Sequence, residues 1–125
     1  MPIPIDISLV RSAADNQPAK IVELLQLCRQ SLESDLTSLT LLMERVNAPI
    51  ASKRKVAHRI CGAARVIGAQ ALANACELIK QAHEGNIDLL LTMMIREAVA
   101  VEKSLAKFIF CTEQDMATAD QGRCH

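Results

Sequence analysis

Apolar residues recur three and four positions apart through most of this chain, the period of helices that bury one stripe. The longest stripe is Ile21, Leu24, Leu25, Cys28, Leu32, Leu36, Leu39, Met43 and Val46, which predicts a helix from Pro18 to Val46. Pro18 falls in its first turn, where proline is tolerated, and Asn47-Ala48-Pro49 breaks its end. The next helix starts near Pro49 or Ile50 and ends near Gly68, with Val56, Ala57, Ile60, Ala63, Ala64 and Ile67 inward. A further helix spans Ala69 to Glu84, turning Leu72, Ala75, Cys76, Ile79 and His83 inward, with Gly85 as its stop. Asn86 then caps a helix carrying Ile87, Leu90, Leu91, Met94, Ala98, Val101, Leu105 and Phe108 on one face and ending near Phe110. Ahead of all these, Pro2 and Pro4 extend residues 1–5, Asp6 caps a short helix to Ala14, and Asp15-Asn16-Gln17 forms a turn. Residues 112–125 are polar, carry Gly122 and show no period, which predicts a frayed tail.

Four amphipathic helices joined by short breaks predict an all-α fold, an antiparallel up-down-up-down four-helix bundle with a short extra N-terminal helix over one end. The domain is expected over residues 1–111, followed by a flexible C-terminal tail at 112–125. At 125 residues the chain makes one domain with a real core. Half the residues are hydrophobic, yet there is no Trp and no Tyr, so Leu, Ile, Val, Ala and Met must fill that core. Lys plus Arg and Asp plus Glu number 14 each. A neutral chain this poor in aromatics lacks both the basic footprint and the stacking platform of a nucleic-acid binder.

Cys28, Cys61, Cys76, Cys111 and Cys124 are odd in number, and no CxxC pair occurs. This predicts reduced thiols in a cytoplasmic setting, with no disulfide and no metal site. No apolar run reaches the roughly 18 residues of a membrane span, and no signal peptide stands at the N-terminus. A bundle hosts many functions, so chemistry must be sought in its side chains.

Phosphate loops, dinucleotide fingerprints, HExxH, Glu-x-x-His pairs and Gly-x-Ser-x-Gly elbows are all missing. His83 reads as a half-buried packing residue near a helix C-terminus. His58 is different. On a helical wheel it lies almost opposite Ile60, on an outer face shared with Arg54, Lys55, Gly62 and Arg65. Glycine inside a helix costs about 1 kcal/mol against alanine, and Gly62 leaves bare the turn that follows His58. Neutral imidazole is a competent nucleophile near neutral pH. It can take an activated phosphoryl group as a phosphoramidate, for which exposure, an open flank and nearby cations are the requirements. The same pattern also fits a solvated histidine on a basic face, and Lys53-Arg54-Lys55 by itself reads as such a face.

The run His58-Arg59-Ile60-Cys61-Gly62-Ala63-Ala64, followed by Gly68 and then by Leu72, Cys76, Ile79 and Lys80, resembles the histidine-containing phosphotransfer (HPt) domain family of bacterial phosphorelays. That family carries His, then Leu or Ile, Lys, Gly and two small residues, a later Gly, and a Leu-Cys-Leu/Ile-Glu pattern on the next helix. The resemblance covers residues 6 to 110, helix order included. It implies that His58 accepts a phosphoryl group from a receiver-domain aspartate and passes it to another receiver. It also implies a monomeric phosphocarrier with no cofactor of its own, Mg²⁺ belonging to the partner receiver. A histidine-kinase label would follow only for an excised domain of a membrane-bound hybrid sensor kinase, itself a candidate partner.

Two positions depart from the family pattern: Cys61 stands where Lys is usual, and Lys80 where Glu or Gln is usual. Both fall at the edges of their apolar stripes, so both are expected to flank His58. The cation is then expected from Lys80, helped by Arg54, Lys55 or Arg65, with Glu77 or a water orienting the imidazole. The competing reading is a non-catalytic helical adaptor that binds receivers without phosphotransfer.

Overall fold

The computed structural model describes residues 5–123, with side chains described through residue 118. The Pro2–Pro4 run and Cys124-His125 lie outside the described residues. Five helices follow in order: α1 (Ser8–Ala13), α2 (Pro18–Glu44), α3 (Ile50–Val66), α4 (Gln70–Lys80) and α5 (Ile87–Arg123). No strand occurs among the described residues. α2 packs on α3 and α5, and α4 packs on the same two, which closes a ring of four helices with α1 against α2. The all-α bundle expected from the stripes is the fold found.

The predicted inward positions form its core. Leu25, Leu32, Leu39, Ile60, Ala64, Ile67, Leu72, Leu91, Met94, Ala98 and Leu105 are all fully buried. Each apolar side chain of Val, Leu or Ile size withdrawn from water contributes about 1.5–3 kcal/mol, so aliphatic stripe-on-stripe packing, with Phe108 half-buried against it, holds the bundle together.

Short connections fix the order. α3 ends in a Schellman turn: the Ala69 N–H donates to the Ala64 carbonyl at 2.9 Å and the Gly68 N–H to that of Arg65 at 3.4 Å. Gly68 has φ +63, and a Cβ there would overlap the Asp6 carbonyl. That contact ties the N-terminal segment to the bundle, because the Asp6 N–H donates to the carbonyls of Ile67 and Gly68 at 3.1 and 3.2 Å. The Asp6 carboxylate meanwhile accepts the Ser8 N–H at 3.0 Å, but from the position before the cap: the N-cap of α1 is Ile7, not Asp6 as expected.

Three further expectations about element ends need correction. α2 stops at Glu44, leaving Val46 96% exposed rather than on the stripe. α4 stops at Lys80 rather than Glu84. His83 therefore lies in the following turn, exposed rather than half-buried, where its N–H donates to Asn86 Oδ1 at 3.1 Å. The Gly85 N–H donates to His83 Nδ1 at 3.2 Å, so Gly85 belongs to this turn and is not the cap of α4. Finally, α5 does not end near Phe110 but continues as helix to Arg123. Ile109 is buried, Met116 is half-buried against the core, and the Thr112 hydroxyl donates back to the Phe108 carbonyl. Residues 112–123 are thus helical rather than an aperiodic tail.

Candidate functional site

α3 reaches the surface along one ridge, and His58 stands on it, exposed, with no hydrogen bond to any other described residue. Its inward neighbours explain the placement: Val56, Ala57, Ile60, Cys61 and Ala64 are buried, which turns the opposite face outward. Gly62, one turn later, is exposed, and a Cβ built on it meets nothing within 4 Å. No packing inside this chain demands glycine there.

Two concavities flank the ridge. On the α4 side a pocket of about 410 Å³ is lined by His58 together with Arg54, Lys55, Ala57, Cys61 and Lys80, among others. On the α2 side a shallower groove runs past Leu27, Cys28, Ser31, Gly62, Ala63 and Val66. Leu27 and Val66 are 57% and 47% exposed, which makes this groove apolar and open.

The expected cations are distributed differently from the expectation. Arg54 is half-buried, and its guanidinium donates to the carbonyls of Ile79 (2.8 Å) and Ala82. It gives a second donor to the Ile79 carbonyl in the last turn of α4 and a donor to the Ala82 carbonyl just beyond it, rather than standing free beside His58. Lys53, read as part of a solvated face, is buried, with Nζ 2.8 Å from Asp88 Oδ1 on α5. Arg65 lines neither concavity; it pairs with Glu77 at 2.9 Å. Lys80 does reach the His58 pocket, but its ammonium also lies 3.0 Å from Glu77 Oε1. Hydrogen bonds and charge from Lys80, then from Arg65, hold the Glu77 carboxyl below its usual range. Glu77 is therefore an anchor for two cations and makes no bond to the imidazole. Lys55 is exposed and in no ion pair among the described residues.

Cys61 lines the pocket as expected of a flanking residue, but it is buried, 2% exposed. Beside it lies Cys76, whose thiol is pushed up to about 12, first by burial and then by the neighbouring Cys61. Cys28, Cys61, Cys76 and Cys111 are free thiols.

Like Lys53–Asp88, a second pair was not anticipated from the stripes. Asp35 on α2, only 7% exposed, accepts from Arg59 Nε at 3.0 Å and pins α2 to α3 at the edge of the apolar groove. The signal was present as an acidic residue at a position continuing an inward face, though its partner lies 24 residues away.

The ring of four helices thus presents an exposed histidine beside a bare turn and between two open concavities, rather than in an enclosed cavity. The family model of the Hpt domain matches residues 23–107, and the chain belongs to the Hpt domain family. Members of that family serve histidine phosphotransfer in phosphorelays and work with receiver domains. No curated protein matches the chain. Among the described residues no helix is long and apolar enough to cross a membrane.

Proposed function

We propose that His58 is the phosphoryl acceptor and donor of this domain, taking the group from a receiver aspartate and passing it to a second receiver. In the first step a ring nitrogen bonds to phosphorus as the bond to the aspartyl oxygen breaks, and the carboxylate leaves with the electron pair. The second step reverses these roles on another aspartate. The observation that carries this reading is Gly62: its surface is open, and nothing inside the chain requires the missing side chain. A partner that closes over His58 does require it.

The apolar groove between α2 and α3 is the docking face in this proposal, with Leu27 and Val66 as its exposed contacts. Lys55 and Lys80 on the opposite lip supply charge for the phosphoryl oxygens, Arg54 and Arg65 being engaged elsewhere. Those engagements are what favours the second reading, an adaptor that docks receivers without transfer, because fewer cations stand free than a transfer site would use.

One experiment separates the two. The protein is incubated with a phosphorylated receiver and Mg²⁺, the ion acting in the receiver. Transfer gives a phosphoryl group on this chain that is acid-labile, base-stable and absent from His58→Gln. Labelling that persists in His58→Gln defeats the site assignment, and docking without labelling for every receiver tried establishes the adaptor.

A further inference from the structure

Three helices bring sulfur to one point under the His58 pocket. α3 contributes Cys61, α4 Cys76 and α5 Met94, which are 2%, 3% and 0% exposed. The Cys76 thiol donates to Met94 Sδ at 3.7 Å, and Cys61 lines the same pocket as Cys76. We propose that Cys61, Cys76 and Met94 form a three-sulfur binding site for a thiophilic monovalent metal ion, copper(I) in kind, entered through the pocket whose rim carries His58.

The spacing suits an ion. Two sulfurs bound to one metal at about 2.3 Å stand about 3.8–4.0 Å apart at tetrahedral or trigonal angles, close to the thiol–thioether separation already present. A metal in place of the Cys76 thiol proton therefore needs little movement of α4 against α5. Both cysteines line the pocket, so an entry path exists.

The ligand set selects the ion. No group of three His, Cys, Asp or Glu side chains placed to hold a metal occurs among the described residues, so zinc would lack its tetrahedral set. Thiolate and thioether sulfur are the donors that copper(I) prefers. Binding breaks two S–H bonds, forms two S–Cu bonds and releases two protons to solvent, while Met94 donates a lone pair. No electron changes hands, and the loaded site carries one net negative charge. Burial raises the Cys76 thiol, with the Arg65 charge only partly opposing it, so the metal itself must displace the proton, and Arg54, Lys55 and Lys80 line the pocket above. Disulfide formation between the same thiols is a different reaction, because it needs a two-electron oxidant that metal binding does not.

The test uses the full chain with Cys28, Cys111 and Cys124 replaced by Ser, titrated without oxygen with copper(I) against a chromophoric chelator. One ion per chain is expected. Cys61→Ser and Cys76→Ser should each lose more than the roughly 10- to 100-fold typical of removing an outer-shell partner. Met94→Leu nearly conserves volume and should keep the fold, so it decides the matter if a serine variant unfolds; it should weaken binding about tenfold. His58→Gln should bind as the parent does. Unchanged affinity in Met94→Leu or in a folded Cys→Ser variant, a stoichiometry other than one, loss of binding in His58→Gln, or a Cys61–Cys76 disulfide in place of the complex would overturn the site. None of these readouts depends on phosphotransfer.

Discussion

At position 62 a missing side chain serves no purpose inside the molecule, whereas at position 68 it serves a visible one. Gly68 is held at positive φ against the Asp6 carbonyl, but Gly62 is ordinary helix with open space beyond it. Gly62→Ala should therefore raise stability by up to about 1 kcal/mol, read as a higher melting temperature. The same substitution should slow phosphoryl transfer from a receiver, since the methyl group sits where the partner closes. A variant that is both more stable and equally fast would remove Gly62 from the proposed site. Lys80 tests the opposite lip. Lys80→Ala should leave the helical content unchanged while slowing transfer or shortening the lifetime of the phosphohistidine, and unaltered kinetics would remove Lys80 from the proposed site and pass its role to Lys55. His58 and Gly62 were legible in the sequence because exposure follows from helical phase. The company His58 keeps was not, since phase says nothing about whether Arg54 reaches outward or back to another helix.

Among the elements, α4 depends most on its neighbours. It is 11 residues long, near the lower limit at which a helix holds without tertiary support. Arg54 closes its last turn from α3, reaching carbonyls 25 and 28 residues away. Arg54→Ala should cost about 1–3 kcal/mol, chiefly through the Ala82 carbonyl, since the Ile79 carbonyl keeps the Ala82 N–H as a donor. Hydrogen exchange should show the loss confined at first to the end of α4 and the turn that follows. An exchange pattern like the parent's would mean that water replaces the guanidinium at no cost. The stripes of α2, α3 and α5 were readable because a three-and-four spacing of Leu, Ile and Met has one meaning over so many turns. Helix ends were less so. Past Phe110 the period thins to Ile109, Thr112 and Met116, and α4 is terminated by a donor on another helix rather than by Gly85. Lys53–Asp88 and Arg59–Asp35 escaped for the same reason, joining positions 35 and 24 residues apart.

For the whole molecule, acid is the revealing stress. Arg29 donates to Glu102 at 2.8 Å across α2 and α5, and that bond is the main cause that lowers the Glu102 carboxyl. Glu77 is lowered by Lys80 and Arg65, and Asp6 by the Ser8 hydroxyl and N–H. In each case the unfolded chain binds protons more readily than the folded one, so stability rises with pH through this range. It is fully present above the unfolded values, 4.5 for Glu and 3.8 for Asp, and is lost as pH falls through the lower folded ones. Glu102→Gln should flatten that acid slope in urea titrations while changing transfer little, and a slope equal to the parent's would show that the α2–α5 pair adds nothing. A core built without Trp or Tyr has a further use at the bench. With no Trp and no Tyr, this protein is nearly dark in the near ultraviolet, both in absorption and in emission. Tryptophan fluorescence from a mixture with a receiver therefore reports the receiver alone, so docking can be followed without a label. Charge-transfer bands from copper on thiolate would stand against an almost empty background.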